Sequence, residues 1–189
     1  KMPISIRYPL VELLTGLLAL AVYAKFGLTL ETPVYFVFIA VLLTVAFIDM
    51  DHRIIPDLIS LPGIPVFFAA SMVVPSVTVL DSAIGIVAGA GILYVVAFAW
   101  SHLKKIEAMG MGDVKLLAMI GALIGWKGVL FTIFVSSATG TLVGLPVMLM
   151  KKGNLKMEIP YGPFISIGAV AYVFFGQAAI DWYFSFYPY

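Results

Sequence analysis

Read from its N-terminus, the chain alternates long apolar runs with short polar connections. Seven apolar segments stand out, at about 9–28, 33–48, 58–74, 82–100, 114–125, 128–150 and 161–180. A helix that crosses a bilayer needs about 20 consecutive apolar residues. Four of the segments reach or approach that length, and the second and third fall a few residues short. The fifth is clearly short and suits a re-entrant or tilted helix. The pattern predicts an all-α integral membrane protein, a polytopic bundle of about six to seven transmembrane helices. No repeat, linker or low-complexity tract divides it, so residues 1–189 are expected to form a single membrane-embedded domain.

Composition supports the membrane assignment. The chain is 62% hydrophobic and only 11% charged, whereas soluble domains are about a quarter charged. A net charge of +1 with no basic face argues against nucleic acid. The absence of cysteine excludes disulfides, thiolate metal sites and cysteine nucleophiles. Behind the short polar start at Lys1, the first apolar run is too long for the core of a cleavable signal peptide. Lysines and arginines set an orientation. With a cytoplasmic N-terminus and seven full crossings, the cytoplasmic side holds Lys1, Arg7, Arg53, Lys104, Lys105, Lys115, Lys151, Lys152 and Lys156, against Lys25 and Lys127 opposite. That is nine against two. A re-entrant fifth segment weakens the bias to seven against four. Both acidic connections, 49–57 and 102–113, then face the cytoplasm. Gly85, Gly89 and Gly91 in the fourth segment, and Gly140 and Gly144 in the sixth, are expected to let helices pack closely.

Carboxylates beside a bilayer are costly and tend to be functional. Asp113 follows the glycine-bracketed stretch Gly110-Met111-Gly112, whose glycines permit positive φ and close backbone approach. It stands at the mouth of the fifth segment, as a functional acid or a helix N-cap. Asp49 closes the uncharged run 41–48 at a helix C-terminus. Two carboxylates in unlike surroundings are the pattern expected of an acid–base pair. Asp57, after Pro56, reads as an N-cap of the third segment, and Asp51 and His52 as loop residues. An Asp49-x-Asp51 pair could hold Mg²⁺ beside phosphate, but no arginine-rich clamp or phosphate loop accompanies it, and metal is not expected. Lys115 reads best as a membrane anchor, although contact with substrate or a carboxylate is open to it. His52 and His102 suit interfacial positions. Glu12 suits snorkelling or pairing with Arg7. No Gly-x-Ser-x-Gly or His-Glu-x-x-His motif occurs. Membrane carboxylates also suit a proton- or cation-coupled transporter, but these lie at span ends rather than at the midplane.

Three blocks carry a resemblance that covers almost the whole chain: residues 4–12, residues 47–57 (with Asp49, Asp51 and Ile55-Pro56-Asp57) and residues 109–117 (with Gly110-Met111-Gly112-Asp113). A weaker fourth is Ile159-Pro160-Tyr161-Gly162-Pro163-Phe164. The chain resembles the type IV prepilin peptidases, membrane aspartic proteases that remove leaders from pilin and type II secretion pseudopilin precursors. The resemblance implies Asp49 and Asp113 as the catalytic pair, working without a cofactor. Gly110, Gly112, Lys115, Asp51 and Asp57 are expected to support the site or meet substrate. It implies prepilin and pseudopilin precursors and membrane lipid as partners, a place in the bacterial inner membrane, and cleavage of a short basic leader after a glycine at the cytoplasmic face. Bifunctional members carry an N-terminal segment with two Cys-x-x-Cys pairs linked to zinc and N-methylation. This chain starts where that segment would end and holds no cysteine, so methyltransferase activity is not expected of these residues. Ala108 stands where many relatives have glycine.

Overall fold

In the computed structural model residues 7–104, 110–150 and 160–186 are described, and all their regular structure is helical. The helices are α1 (Arg7–Phe26), α2 (Glu31–His52), α3 (Asp57–Ser71), α4 (Val79–Lys104), α5 (Met111–Met150) and α6 (Gly162–Ser185). All except α3 are long and apolar enough to cross a membrane, so this is a multi-pass α-helical membrane protein. The segment expected at 33–48 is 22 residues long once its polar ends are included. α3 remains short at 15 residues, about 22 Å at 1.5 Å per residue, and carries Pro62 and Pro65 within it. Of the cationic positions that set the orientation, Lys1, Lys105, Lys151, Lys152 and Lys156 lie outside the described residues, as does Ala108.

The fifth and sixth apolar segments join in α5 without a loop. Gly125 breaks the helix with φ 69° and ψ −179°, a conformation in the left-handed half of the map that glycine adopts without steric cost. The chain reverses there. Before the break, Gly121 faces Gly85 and Leu117 faces Gly89, so the first half of α5 runs antiparallel to α4. After it, Thr132 faces Gly168, and Gly140 faces Phe164 and Tyr161, so the second half runs antiparallel to α6. Trp126 Nε1 donates to Asp81 Oδ1 at 3.0 Å. Asp81 Oδ2 in turn accepts from the Thr78 N–H and hydroxyl, and the Asp81 N–H bonds Thr78 Oγ1. The turn is thereby pinned to the start of α4. With α5 divided at Gly125, the described residues hold seven helical runs, one for each apolar segment.

The short fifth segment is the centre of the bundle. Leu116, Leu117, Met119, Ile120, Ala122 and Leu123 are buried, because α3, α4, α6 and the returning half of α5 surround them. It runs alongside α4 as far as that helix's first turn, where Gly125 lies against Asp81. Its contact with α4 is backbone on backbone. A methyl group on Gly85 would run into the Gly121 carbonyl, and one on Gly121 into the Gly85 carbonyl. Small residues allow such an approach where lipid offers no hydrophobic drive. The expected glycine set is partly corrected. Gly85 and Gly89 make close contacts, Gly91 meets nothing, and Gly140 makes only ordinary contacts at 3.8 Å, because it faces aromatic rings rather than a backbone.

At the end of the bundle remote from Asp49, Lys25 donates to the backbone carbonyls of Val173, at 2.9 Å, and Phe174. The lysine thus ties α1 to α6.

Candidate active site

α2 stays helical through His52, so Asp51 and His52 belong to its last turn rather than to a loop. Arg53 ends the helix in the left-handed conformation, with φ 56°, and its N–H bonds Asp49 O at 2.8 Å. Successive helical residues are about 100° apart, so Asp49 and Asp51 point in different directions. Asp49 is buried at 5% exposure, and Asp51 is exposed. The Asp49-x-Asp51 chelate is therefore not assembled. His52 is exposed. His102 is exposed too, its ring stacked on Phe98. Glu12 lies on the exposed side of α1, and its proposed partner, the Arg7 side chain, lies outside what is described.

The buried Asp49 carboxylate meets the start of α6. Gly162 N–H donates to Asp49 Oδ2 at 2.9 Å. A helix leaves its first N–H groups without internal partners, and here each one is accounted for. Pro163 has none, and Phe164 and Ile165 bond the Tyr161 carbonyl. Gly162 supplies the one left over to Asp49. A Cβ at Gly162 would lie 2.8 Å from the same oxygen. Tyr161 in turn shares a 2.8 Å hydrogen bond with Ser136 on α5. Sequence reasoning reached Tyr161 and Gly162 only as part of a weak block and passed over Ser136. The available signal was a glycine followed by proline at a helix start.

Gly110 precedes α5 and is exposed. Gly112 lies in its first turn, and neither glycine has positive φ. What Gly112 provides is space: a Cβ there would sit 2.9 Å from Ile55 Cβ. Asp113 is the third residue of α5 rather than its N-cap, and at 9% exposure it is buried. Lys115, two residues on, reaches Asp57 with contacts of 2.7 and 2.8 Å to the two carboxylate oxygens. This corrects two expectations. Lys115 is an ion-pair partner rather than a plain anchor. Asp57 is the first residue of α3, where Pro56 occupies the cap position with no side-chain capping bond. The Ile55–Gly112 contact and the Asp57–Lys115 pair clamp the two acidic blocks together although 58 residues separate the paired side chains.

The clamp brings Asp49 and Asp113 to the same end of the bundle. Their surroundings are more alike than the sequence suggests. Both are buried, so desolvation acts on both. Asp113 lies in the first turn of α5, and Asp49, although at the end of α2, also faces the first turn of α6. Each carboxylate thus meets the positive end of a helix dipole.

The Lys115–Asp57 pair is partly exposed, at 28% and 58%, where such pairs contribute about 0.2–1 kcal/mol. A double-mutant cycle with Lys115→Ala and Asp57→Ala, read by thermal unfolding in detergent, should give a coupling in that range. A coupling of zero would mean that the clamp rests on the Ile55–Gly112 contact alone.

Residues 36–145, which include both aspartates, match the type IV leader peptidase family. The chain is 34% identical over 181 residues to a prepilin leader peptidase/N-methyltransferase of Aeromonas hydrophila, covering 96% of this chain and 62% of the relative. It is 34% identical over 182 residues to the protein of the same description from Legionella pneumophila (96% and 63%) and 32% over 176 residues to that of Burkholderia pseudomallei strain K96243 (93% and 57%). The chain thus spans about three fifths of the length of the curated relatives it matches. No solved structure matches it. These relatives leave the transporter reading without support. With the family's match covering more than half of its length, this chain belongs to the type IV leader peptidase family.

Proposed function

We propose that the chain is an aspartic endopeptidase that removes the short basic leader from type IV prepilins and type II secretion pseudopilins. Asp49 and Asp113 are its catalytic pair. The observation that carries this reading is the burial of two carboxylates, from blocks far apart in the chain, at the end of the membrane bundle where Ile55 meets Gly112 and Asp57 pairs with Lys115. Like charges held close in a buried site favour sharing one proton between two acids. The ionised member takes a proton from a water molecule, which attacks the scissile carbonyl. The protonated member supports the developing oxyanion and then protonates the leaving amine.

The site faces the cytoplasm of a bacterial inner membrane. Support comes from the excess of lysine and arginine in the connections on that side. A prepilin's apolar helix would lie in lipid against the bundle, which puts its leader junction at the depth of Asp49 and Asp113. Gly112, Lys115 and Asp57 support the site by joining α5 to the α2–α3 connection, and the Gly110 carbonyl accepts from the Asp113 N–H at the start of α5. Asp51, exposed beside it, faces the side from which a basic leader arrives.

The test is incubation of the purified chain with a pilin precursor in detergent, followed by mass measurement of the product. Loss of the leader mass supports the proposal, and an intact precursor overturns it. The same spectrum shows whether a methyl group is added. Electrostatic attraction of the leader by this acidic surface predicts that reversing the leader's charges slows cleavage, by about tenfold in kcat/KM at low salt, with a smaller effect at high salt. Cleavage indifferent to that reversal would show that the carboxylates do not steer the leader.

A further inference from the structure

We propose that Gly162 and Tyr161 are positioning residues that set the Asp49 carboxylate for the reaction, with Ser136 as their anchor. The inference rests on the reading of Asp49 as catalytic and extends the site to the start of α6. The Gly162 N–H is the one donor in that first turn which does not go to the Tyr161 carbonyl, and it goes to Asp49 Oδ2 at 2.9 Å. The contact is buried, and a Cβ at Gly162 would stand 2.8 Å from that oxygen and 3.2 Å from the Asp49 carboxyl carbon, so any larger residue there displaces the carboxylate. The carboxylate is therefore held from one side by a hydrogen bond and limited from the same side by bare backbone.

The donor's position is itself set from α5. The Tyr161 hydroxyl meets Ser136 at 2.8 Å and Ser137 at 3.5 Å, on the half of α5 that returns from the Gly125 turn. Farther along α6, the Ser166 hydroxyl bonds Leu42 O on α2 at 3.2 Å, so the helix is tied on two sides. The relay from Ser136 to Tyr161 to the Gly162 N–H ends on Asp49, the acid that lies at the end of α2 and has no helix N-terminus of its own. Asp113 needs no such relay, because it occupies the first turn of its own helix.

The experiment measures kcat and KM for a pilin precursor with the full chain in detergent, alongside thermal unfolding of each variant. Tyr161→Phe and Ser136→Ala should each lower kcat about three- to tenfold with KM within about twofold, since each removes the same partly buried hydrogen bond. The double variant should be no worse than either single one, because both act through one bond. Gly162→Ala, which pushes on the carboxylate directly, should lower kcat by more than either. If Gly162→Ala fails to fold, Tyr161→Phe decides the matter. An unchanged kcat in Tyr161→Phe, or a loss carried wholly by KM, overturns the positioning role, provided that Asp49→Asn is inactive. Activity retained in Asp49→Asn would instead overturn the catalytic reading beneath it.

Discussion

Asp49→Asn and Asp113→Asn are each expected to abolish leader cleavage, with turnover falling by about 10³-fold or more, the range associated with losing a positioned general acid or base. Asparagine has nearly the shape of aspartate and keeps a carbonyl oxygen, so at position 49 it can still accept from the Gly162 N–H. What it cannot do is exchange a proton with water or with the leaving amine. The loss should therefore be chemical and not structural. Removing one of two neighbouring buried acids also relieves repulsion between them, so thermal stability should stay level or rise. The measurement pairs product mass with an unfolding curve for each variant. Full activity in either variant would remove that residue from the reaction. Loss of both activity and folding in Asp49→Asn would mean that the carboxylate is a packing element first.

The second large effect is on stability. Gly121→Leu should destabilise the bundle by about 3 kcal/mol, the upper part of the usual range for overpacking. The reason is the crossing of α4 and the first half of α5. The atoms that a Cβ on Gly121 would meet are the carbonyl oxygen and carbon of Gly85 and, at 2.9 Å, the Cγ2 of Val129. Two of those three belong to backbone, which cannot rotate out of the way, so the helices themselves must part. That contact also sets the height of the first half of α5, and with it the depth of Asp113. Gly91→Ala is the control, since nothing lies within 4 Å of a Cβ there, and it should leave stability level or slightly raised through better helix propensity. Thermal unfolding in detergent compares them. If Gly121→Leu melts with Gly91→Ala, the close crossing is wrong.

The helices were legible in the sequence because the bilayer imposes a length and a polarity on any segment that crosses it. Seven apolar runs correspond to seven helical runs, and even the fifth, too short by itself, is one of them. A length rule assumes contact with lipid, whereas Leu116, Leu117, Ile120 and Leu123 are buried in the bundle, so the run can be short. The local ends of elements were less legible. α2 runs on past Asp49 to His52 because Arg53, and not a glycine, takes the left-handed cap. Single-chain preferences favour glycine or asparagine there, so the loop was expected too early.

The two aspartates were visible as chemistry from their residue types and from the cost of placing charge beside lipid. The sequence by itself therefore determined a polytopic helical membrane protein, an asymmetric distribution of positive charge, and two acidic blocks worth suspecting. Only the tertiary structure decided that Asp57 is paired with Lys115, that Gly112 provides room for Ile55 and not a turn, and that Asp49 is met by the first N–H of α6. Each of these is a contact between residues more than 50 positions apart. Hydrophobic periodicity and helix signals act over a few turns of one segment, so they carry no information about which helix end will face which. For α4 and α5 that choice was made by backbone meeting backbone at Gly85 and Gly121 and by the reversal at Gly125.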